Sequence, residues 1–247
     1  MKKIIDTQII ENAETAKNIY RLTVKANMEA QPGQFVQVRL PSNEFTLRRP
    51  FGIAAINNEQ ITMFYRVVGS GTEFLTTCKV GDNINLIAPL GNGFDLDGEK
   101  ILLVGGGMGL APLLFAAYKS KSADIFMGGR NSGEVIFWQD EFKNCTDKIF
   151  VMTDDGSYGS KGFVTDFLPD NLKSTSYDKI LVCGPEIMMR KVAAIAKKFN
   201  IPCQVSLEKR MACGLGVCLS CSIDTTNGRK KICKDGPIFN AEEVFYV

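Results

Sequence analysis

The sequence contains no histidine among its 247 residues. Histidine is the usual base beside a nucleophilic serine or cysteine, a common zinc ligand and the ligand that defines a Rieske cluster. Its absence therefore excludes Ser-His and Cys-His catalysis, histidine-ligated zinc and Rieske-type centres. Hydrolysis is not an expected activity of this chain.

Long apolar runs and an excess of one charge are also missing. No segment approaches the stretch of about 18 apolar residues that can span a bilayer, and the start of the chain does not resemble a secretory signal. The net charge is +2, and the basic residues form no stripe that would suit a nucleic acid. We therefore expect a soluble, cytoplasmic protein that binds neither membranes nor nucleic acids.

The residues that are present divide into three regions, which predict a multidomain fold. A hydrophobic content of 45% over 247 residues suffices for two compact domains and a small appendage. Alternating apolar and polar residues at 35–40 and 61–67, separated by glycine and asparagine turns, predict an antiparallel β-barrel over residues 1–98. Residues 99–206 predict an α/β nucleotide domain, and the cysteine-rich residues 207–247 predict a small domain held together by a metal centre.

The middle region alternates the patterns of buried strands and helices, which is typical of a parallel sheet. The predicted strands cover residues 101–104, 124–127, 148–153 and 179–183. The predicted helices cover residues 110–119 and 187–199.

Four cysteines in the C-terminal region follow the pattern C-x4-C-x2-C-x11-C, and they are Cys213, Cys218, Cys221 and Cys233. This spacing is typical of the thiolate ligands of a plant-type [2Fe-2S] cluster, and Gly214 and Gly216 would let the loop approach the cluster closely. Structural zinc is the first alternative, although zinc usually takes its thiols from two separate C-x2-C pairs. Disulfides are a weaker alternative, because cytosolic thiols stay reduced.

A glycine-rich loop follows the first predicted parallel strand and precedes a predicted helix, where free N–H groups can receive a pyrophosphate. Its candidate binding residues are Gly105, Gly106, Gly107 and Gly109. Further turns at the same predicted sheet edge are Gly128-Gly129-Arg130 and the candidate Cys183-Gly184-Pro185. Asp154 and Asp155 also follow a strand, where they could bind a ribose or form an Asx turn.

The barrel region contains a candidate flavin cradle. Residues 48–52 are predicted to end one strand, and residues 65–72 to continue from the next strand into a glycine turn. An arginine can clamp a diphosphate, extended backbone can hydrogen-bond an isoalloxazine edge, and Gly71-Thr72 can turn N–H groups and a hydroxyl toward phosphate. The alternative is two barrel strands with surface arginines.

The chain as a whole resembles the electron-transfer subunits of NAD-dependent dihydroorotate dehydrogenase type B, a family within the ferredoxin reductase superfamily. The resemblance rests on the ordered motifs RRPFG, YRVVGSGT, GGGMGLAP, CGPEIMM, SLEKRMACGLGVCLSC and CKDGP. It implies FAD contacts in the barrel, and the residues concerned are Arg49, Pro50, Phe51, Gly52, Tyr65, Arg66, Val67, Gly71 and Thr72. It also implies that the four cysteines of the C-terminal pattern ligate the cluster.

The resemblance further implies a place in pyrimidine (UMP) biosynthesis. A separate FMN-containing catalytic subunit would oxidise dihydroorotate, two copies of each subunit would assemble, and electrons would pass from FMN through [2Fe-2S] and FAD to NAD⁺. No residue of this chain is predicted to act as a catalytic acid or base.

The sequence departs from its superfamily at two places. Gly52 stands where ferredoxin reductases carry a serine near flavin N5, and no acidic residue follows the second parallel strand to bind a ribose. Arg130 stands nearby and could favour NADP, whereas the family favours NAD.

Two other functions stay open on the sequence. One is the small subunit of a bifurcating ferredoxin:NADP reductase or sulfide dehydrogenase, which tends to have an aspartate at the position of Cys213. The other is a non-enzymatic binding module stapled by zinc.

Overall fold

The computed structural model describes residues 2–246. Its N-terminal part is a closed barrel of six antiparallel strands in the order β1-β2-β5-β4-β3-β6. The strands are β1 (Lys3–Ala16), β2 (Ile19–Lys25), β3 (Phe35–Arg39), β4 (Arg49–Asn57), β5 (Gln60–Arg66) and β6 (Asn83–Leu90). Alternation along β6 buries Ile84, Leu86, Ala88 and Leu90, so the period-two pattern predicts the face that lines the core. The predicted barrel is confirmed.

Two local predictions in the barrel were wrong. Residues 49–52 begin strand β4 instead of ending a strand. Pro50 has no N–H to donate, and proline is accordingly tolerated near the start of a strand. Residues 70–72 open helix α1 (Ser70–Thr77) instead of forming only a glycine turn.

The middle of the chain forms a seven-stranded sheet in the order β10-β9-β8-β7-β11-β12-β15. Its strands are β7 (Ile101–Gly106), β8 (Ala123–Gly129), β9 (Lys148–Thr153), β10 (Ser160–Lys161), β11 (Lys179–Cys183), β12 (Cys203–Ser206) and β15 (Ile238–Asn240). All neighbours pair in parallel except β12 and β15, which are antiparallel. The predicted α/β domain with a parallel sheet is confirmed.

Helices cover both faces of this sheet, which explains why its central strands are continuously apolar. The helices are α2 (Leu110–Lys119), α3 (Ser132–Phe142), α4 (Val164–Ser174) and α5 (Glu186–Lys198). On β7, Leu102 and Val104 share a core with α4 and α5, while Ile101 and Leu103 share a core with α2 and α3. A short 3-10 helix (Gly107–Gly109) joins β7 to α2.

Helix α2 also joins the sheet to the barrel. Its Phe115 packs in the barrel core, while Ala54 of β4 and Phe64 of β5 pack in the core that α2 shares with the sheet. The barrel and the sheet therefore meet through apolar contact, and the cavities described below lie along this junction.

The C-terminal segment returns to the sheet. It contains β13 (Ser222–Thr225), β14 (Gly228–Lys231), α6 (Ile232–Asp235) and α7 (Ala241–Phe245), and its strand β15 completes the seven-stranded sheet. Within residues 2–246, no helix is both long enough and apolar enough to cross a membrane.

Candidate functional site

A cavity of about 970 Å³ lies between the barrel, helix α2 and the segment after β12. Eight of the predicted flavin residues line it, namely Arg49, Pro50, Phe51, Gly52, Tyr65, Arg66, Gly71 and Thr72. Val67 does not line it, because its side chain packs against the barrel core. A cavity of this volume can enclose much of a cofactor the size of a dinucleotide.

Arg49 and the N-terminus of α1 form the cationic part of this cavity. A Cβ atom on Gly71 would lie 2.4 Å from Nη2 of Arg49, so only glycine lets the guanidinium lie across the first turn of the helix. The Thr72 hydroxyl accepts the N–H of Val68 at 2.9 Å and donates to the carbonyl of Gly69 at 2.9 Å. These bonds shape a turn whose free N–H groups, together with Arg49, suit a diphosphate.

Aromatic side chains of the barrel lie at one end of the cavity, and Phe51 is the partly exposed one among the aromatic lining residues. Tyr65 stacks on Tyr20 with 5.3 Å between ring centroids, and Phe51 lies 5.6 Å from Tyr65. The Tyr65 hydroxyl donates to Oδ1 of Asn12 at 2.9 Å. Burial raises the pKa of Tyr65 well above its ordinary value, so the phenol stays neutral. This end of the cavity therefore suits a flat, uncharged ring system.

Gly52 faces Pro112 of α2. A Cβ at Gly52 would lie 3.6 Å from the nearest proline carbon, which is an ordinary contact. A serine would therefore fit at this position, and the steric environment does not explain the glycine. The hydrogen-bonding groups of this chain at position 52 are backbone groups only.

A second cavity, of about 760 Å³, opens at the carboxyl end of the parallel strands. Its walls include the predicted Gly106, Gly107, Gly109, Gly184 and Pro185. The N-termini of α4 and α5 also border it, as expected for a ligand site at the edge of an open α/β sheet.

Gly105 and Cys183 do not line the second cavity. Gly105 lies under α2, where an added Cβ would lie 2.4 Å from Cδ2 of Leu110, and Cys183 is buried at the end of β11. Gly109 packs so closely on β11 that a Cβ would lie 2.4 Å from the Cys183 carbonyl oxygen. Gly105 and Cys183 thus contribute close packing beneath the cavity.

The two aspartates after β9 have different environments. Oδ1 of Asp155 accepts the N–H of Ser157 at 2.9 Å, which is the geometry of an Asx turn. Asp154 lines the second cavity. The turn alternative therefore describes Asp155, while Asp154 remains available to a ligand.

Glu134, in the first turn of α3, brings an acid to the second cavity. Its carboxylate accepts the backbone N–H of Arg130 at 2.9 Å and the side-chain Nε–H at 2.9 Å, and Nη1 of Arg66 lies 3.5 Å away. Burial raises the pKa of Glu134, but the bonds from Arg130 and the charge of Arg66 outweigh burial and hold it below its usual range. The carboxylate is therefore ionised at neutral pH.

The two cavities meet at four residues that line both of them, namely Arg66, Met108, Leu207 and Glu208. Desolvation by the surrounding protein raises the pKa of Glu208, although the residue also keeps contact with solvent. Ligands in the two cavities would therefore meet at this junction.

The four predicted cluster cysteines lie close together in the fold. The backbone N–H of Cys233 points to Sγ of Cys221 at 3.4 Å, and the Cys213 thiol lies near the thiols of Cys218 and Cys233. Within residues 2–246, no three Cys, Asp or Glu side chains close around one ion position. Four thiolates can ligate a two-iron cluster or a structural zinc, and the C-x4-C-x2-C-x11-C spacing favours the cluster.

The loop from Cys213 to Cys218 favours the thiolate form of Cys213. The N–H of Leu215 points to Sγ of Cys213 at 3.3 Å. Burial raises the pKa of Cys213, but backbone N–H groups of Leu215, Cys218 and Val217 lower it to about 6. Donors directed at sulfur suit an anionic ligand, since a metal binds the thiolate form.

Two family models match the chain. The iron-sulfur cluster binding domain of dihydroorotate dehydrogenase B matches residues 208–245, and the oxidoreductase NAD-binding domain matches residues 103–194. The dihydroorotate dehydrogenase B (NAD(+)) electron transfer subunit of Clostridium acetobutylicum is 40% identical over 96% of this chain and 95% of its own length. The chain belongs to this family of electron transfer subunits.

A second relative agrees with this assignment, and two solved structures are similar in fold. The probable electron transfer subunit of Methanocaldococcus jannaschii is 35% identical over 100% of this chain and 93% of its own length. The structure described as NADH-dependent reduced ferredoxin-NADP oxidoreductase superposes with a TM-score of 0.87 at 33% identity, over 96% of this chain and 89% of that chain. A Neisseria gonorrhoeae ferredoxin NADP⁺ reductase with bound FAD and NADP, at a TM-score of 0.66 and 15% identity over 80% and 92% of the two chains, shows the fold alone.

The matched domains and the fold indicate the cofactors [2Fe-2S], NAD and FAD. Sequence reasoning missed Glu134 and the junction residues Met108, Leu207 and Glu208. Glu134 could have been found from the sequence, because Arg130 and Glu134 stand four residues apart at the start of a helix. The junction residues carry no such signal, because only the packing of barrel on sheet brings them together.

Proposed function

We propose that this chain transfers electrons between NAD and a catalytic partner subunit that oxidises dihydroorotate, in pyrimidine (UMP) biosynthesis. The observation that carries the proposal is the continuity of its sites. The second cavity, here the nucleotide cavity, meets the first, here the flavin cavity, at Arg66 and Met108. The flavin cavity reaches Met211, two residues before Cys213. A hydride carrier, a flavin and a cluster can therefore occupy neighbouring positions in this order.

The residues of the flavin cavity would bind and orient FAD. Arg49 and the N–H groups at the start of α1 would hold the diphosphate, Phe51 would pack on the ring system, and the backbone at Gly52 would face the flavin edge. Tyr65 would support Phe51 from the barrel core. When bound, the flavin supplies the conversion between two-electron and one-electron transfer. A bound flavin and nucleotide would exclude water from the junction.

Four thiolates, from Cys213, Cys218, Cys221 and Cys233, would ligate the [2Fe-2S] cluster. The backbone donors around Cys213 support this assignment, because they stabilise negative charge on sulfur. Cys221 and Cys233 are buried, while Cys218 is exposed, so one side of the site is open toward a partner.

The exposed rim of the cluster loop would contact the partner. Leu215, Val217 and Leu219 are apolar and exposed, and Val217 keeps 79% of its surface in solvent. Apolar side chains around a redox centre suit a protein contact. The partner would be an FMN-containing catalytic subunit in a cytoplasmic assembly of two copies of each subunit.

The second cavity would bind NAD in preference to NADP. The ionised Glu134 can accept hydrogen bonds from ribose hydroxyls and would repel a 2′-phosphate. Arg130 is already paired with Glu134, so its charge is not free for a 2′-phosphate. We assign Gly106, Gly107, Gly109, Gly184 and Pro185 to the pyrophosphate and nicotinamide side of this cavity, above the packing residues Gly105 and Cys183.

The proposed domains are residues 1–98, 99–206 and 207–247. The ends of β6 at Leu90 and of β12 at Ser206 support these divisions. Strand β15 of the third domain completes the sheet of the second, so the third domain would be attached at both of its ends.

The bifurcating reductase is the second candidate, since its structure superposes on 96% of this chain. Cys213 in place of an aspartate favours the dihydroorotate system. A zinc-stapled binding module would not require a flavin cavity.

The test is the visible spectrum of anaerobically purified protein before and after NADH, with flavin, iron and sulfide analysis. We expect flavin, equal amounts of iron and sulfide, and bleaching by NADH. Co-purification with a dihydroorotate-oxidising subunit would support the partner, whereas a bifurcating partner would favour the second candidate. A colourless protein that contains zinc would contradict electron transfer.

A further inference from the structure

Gln37 is a polar residue with no exposed surface, located where the barrel meets the cluster loop. It lies on β3 between Val36 and Val38, whose side chains pack inside the barrel. Because side chains alternate along a strand, Gln37 points out of the barrel, toward the C-terminal segment. The structure therefore buries an amide between the barrel and the loop that carries the cluster cysteines.

The amide lies directly against the loop. A Cβ on Gly214, the residue after Cys213, would lie 2.7 Å from both Cγ and Nε2 of Gln37. Gly214 has φ +69°, a left-handed conformation that favours glycine, so both the backbone and the contact require the absence of a side chain. The loop is thus shaped to let Gln37 reach the neighbourhood of Cys213.

The strand around Gln37 is fixed, but its side-chain amide is not satisfied. Nη1 of Arg48 donates to the Gln37 carbonyl at 3.2 Å and to the Asn85 carbonyl at 3.2 Å. In contrast, the amide makes one contact, from Nε2 to Sδ of Met211 at 3.9 Å, and Oε1 is buried without a partner. An apolar side chain would stabilise this position better, because a buried amide without partners is destabilising.

We propose that the side-chain amide of Gln37 donates a hydrogen bond to sulfur on the Cys213 side of the iron-sulfur site and raises the reduction potential of the cluster. The inference rests on the proposed cluster site. Nε2 carries two protons, and its single contact is already with a sulfur atom. A donor to sulfur stabilises the reduced cluster, which carries the greater negative charge.

Gln37 is a positioning residue, because it would change the reduction potential of the cluster through a hydrogen bond to sulfur. Replacing it with Met keeps the length and removes the donor. We expect the equilibrium constant for one-electron reduction of the cluster to fall roughly tenfold, which lowers the reduction potential by about 59 mV. The flavin potential should keep its wild-type value.

The experiment is an anaerobic redox titration of the full-length holoprotein, with the cluster followed by electron paramagnetic resonance and the flavin by absorbance. Gln34→Met is the matched control. Both ends of its amide are hydrogen-bonded: Nε2 donates to the Gly91 carbonyl at 2.8 Å, and Oε1 accepts the Gln31 N–H at 2.8 Å. We expect a lower cluster potential in Gln37→Met and an unchanged one in Gln34→Met.

The outcomes separate this inference from the proposed function. An unchanged cluster potential in Gln37→Met with full iron content would overturn the role of Gln37, and so would an equal shift of the flavin potential. If Gln37→Met loads poorly, Gln37→Leu is titrated in the fraction that carries iron, with the same expected direction. A wild-type protein without any cluster signal would instead overturn the proposed function.

Discussion

The walls of the two cavities and the cluster loop are held in place by different forces. Strand β7, beside the nucleotide cavity, buries Ile101 through Val104 almost completely, and helices cover both of its faces. The described segment 207–221 forms no helix or strand, and its Val217 is 79% exposed. Apolar burial therefore maintains the cavities, whereas we infer that the loop would depend on a bound cluster for a fixed shape.

The largest effect should follow from removing one cluster ligand. In Cys218→Ser, we expect electron transfer to the partner to fall by more than the roughly 10–100-fold that loss of an outer supporting residue costs at a metal site. NADH-dependent dye reduction through the flavin should stay close to wild type. Hydrogen exchange should accelerate in residues 207–221 and remain unchanged in β7.

Cys145→Ser is the control for this variant. Burial raises the pKa of Cys145 to about 11, so this thiol is neutral and lies outside the cluster region. It should leave iron content and both activities unchanged. Equal loss of dye reduction and partner reduction in Cys218→Ser would show that the loop and the cavities are not independently maintained.

The next largest effect concerns the flavin cavity. Gly71→Ala should displace the Arg49 guanidinium and remove a charged hydrogen bond, which contributes about 1.5–3 kcal/mol, or roughly 10–100-fold in the Kd for FAD. Titration of the flavin-free protein by flavin fluorescence measures this. Gly69→Ala adds a methyl group in the same turn without displacing Arg49, because a Cβ there meets no protein atom within 4 Å. Equal Kd values for the two variants would contradict the Arg49 clamp.

A smaller effect is expected in the nucleotide cavity. Glu134→Gln removes the charge that would repel a 2′-phosphate and frees Arg130 from its ion pair. We expect the preference for NADH over NADPH, measured as the ratio of kcat/KM values in dye reduction, to fall roughly tenfold. Asp140→Asn on the same helix should leave the ratio unchanged, because Asp140 pairs with Lys143 in solvent. An unchanged ratio in Glu134→Gln would show that Glu134 does not discriminate between NADH and NADPH.

The smallest effect is on acid stability. Because the pKa of Glu134 is lowered in the folded protein, its stabilising contribution is present above the unfolded value of about 4.3 and disappears as pH falls through the folded value. The partner Arg130 is mostly exposed, so we expect Glu134→Gln to reduce the free energy of unfolding by about 1 kcal/mol or less at pH 7. Urea unfolding at pH 7 and at pH 3 measures this. A difference that is the same at both pH values would contradict the ionic origin.

The elements that the sequence predicted well are those with a local cause. Helix α2 has the predicted bounds 110–119, and β9 and β11 have the predicted bounds 148–153 and 179–183. Their apolar runs and flanking glycines are local signals of burial and of chain reversal. The cysteine spacing was equally informative, because ligand geometry restricts the separation of the thiols.

The features that sequence reasoning missed depend on contacts between distant parts of the chain. The start of β4 at Arg49 depends on its pairing with β3, and the role of Glu134 depends on Arg66 from the barrel. Likewise, Gln37 shows no unusual pattern along the sequence, and only its packing on Gly214 distinguishes it. Pairwise contacts of this kind are properties of the tertiary structure.

The pairing of β12 with β15 brings the two ends of the cluster segment together. Ser206 lies opposite Ile238, and the N–H of Leu207 donates to the Pro237 carbonyl at 2.9 Å, so the segment leaves and re-enters the sheet at one place. Adjacent ends are the geometry in which a whole segment can be replaced by a short hairpin turn. Such a deletion would leave a flavin reductase that binds FAD and NAD but no cluster. Transfer of the segment to a simple flavin reductase would allow that enzyme to pass single electrons to a partner.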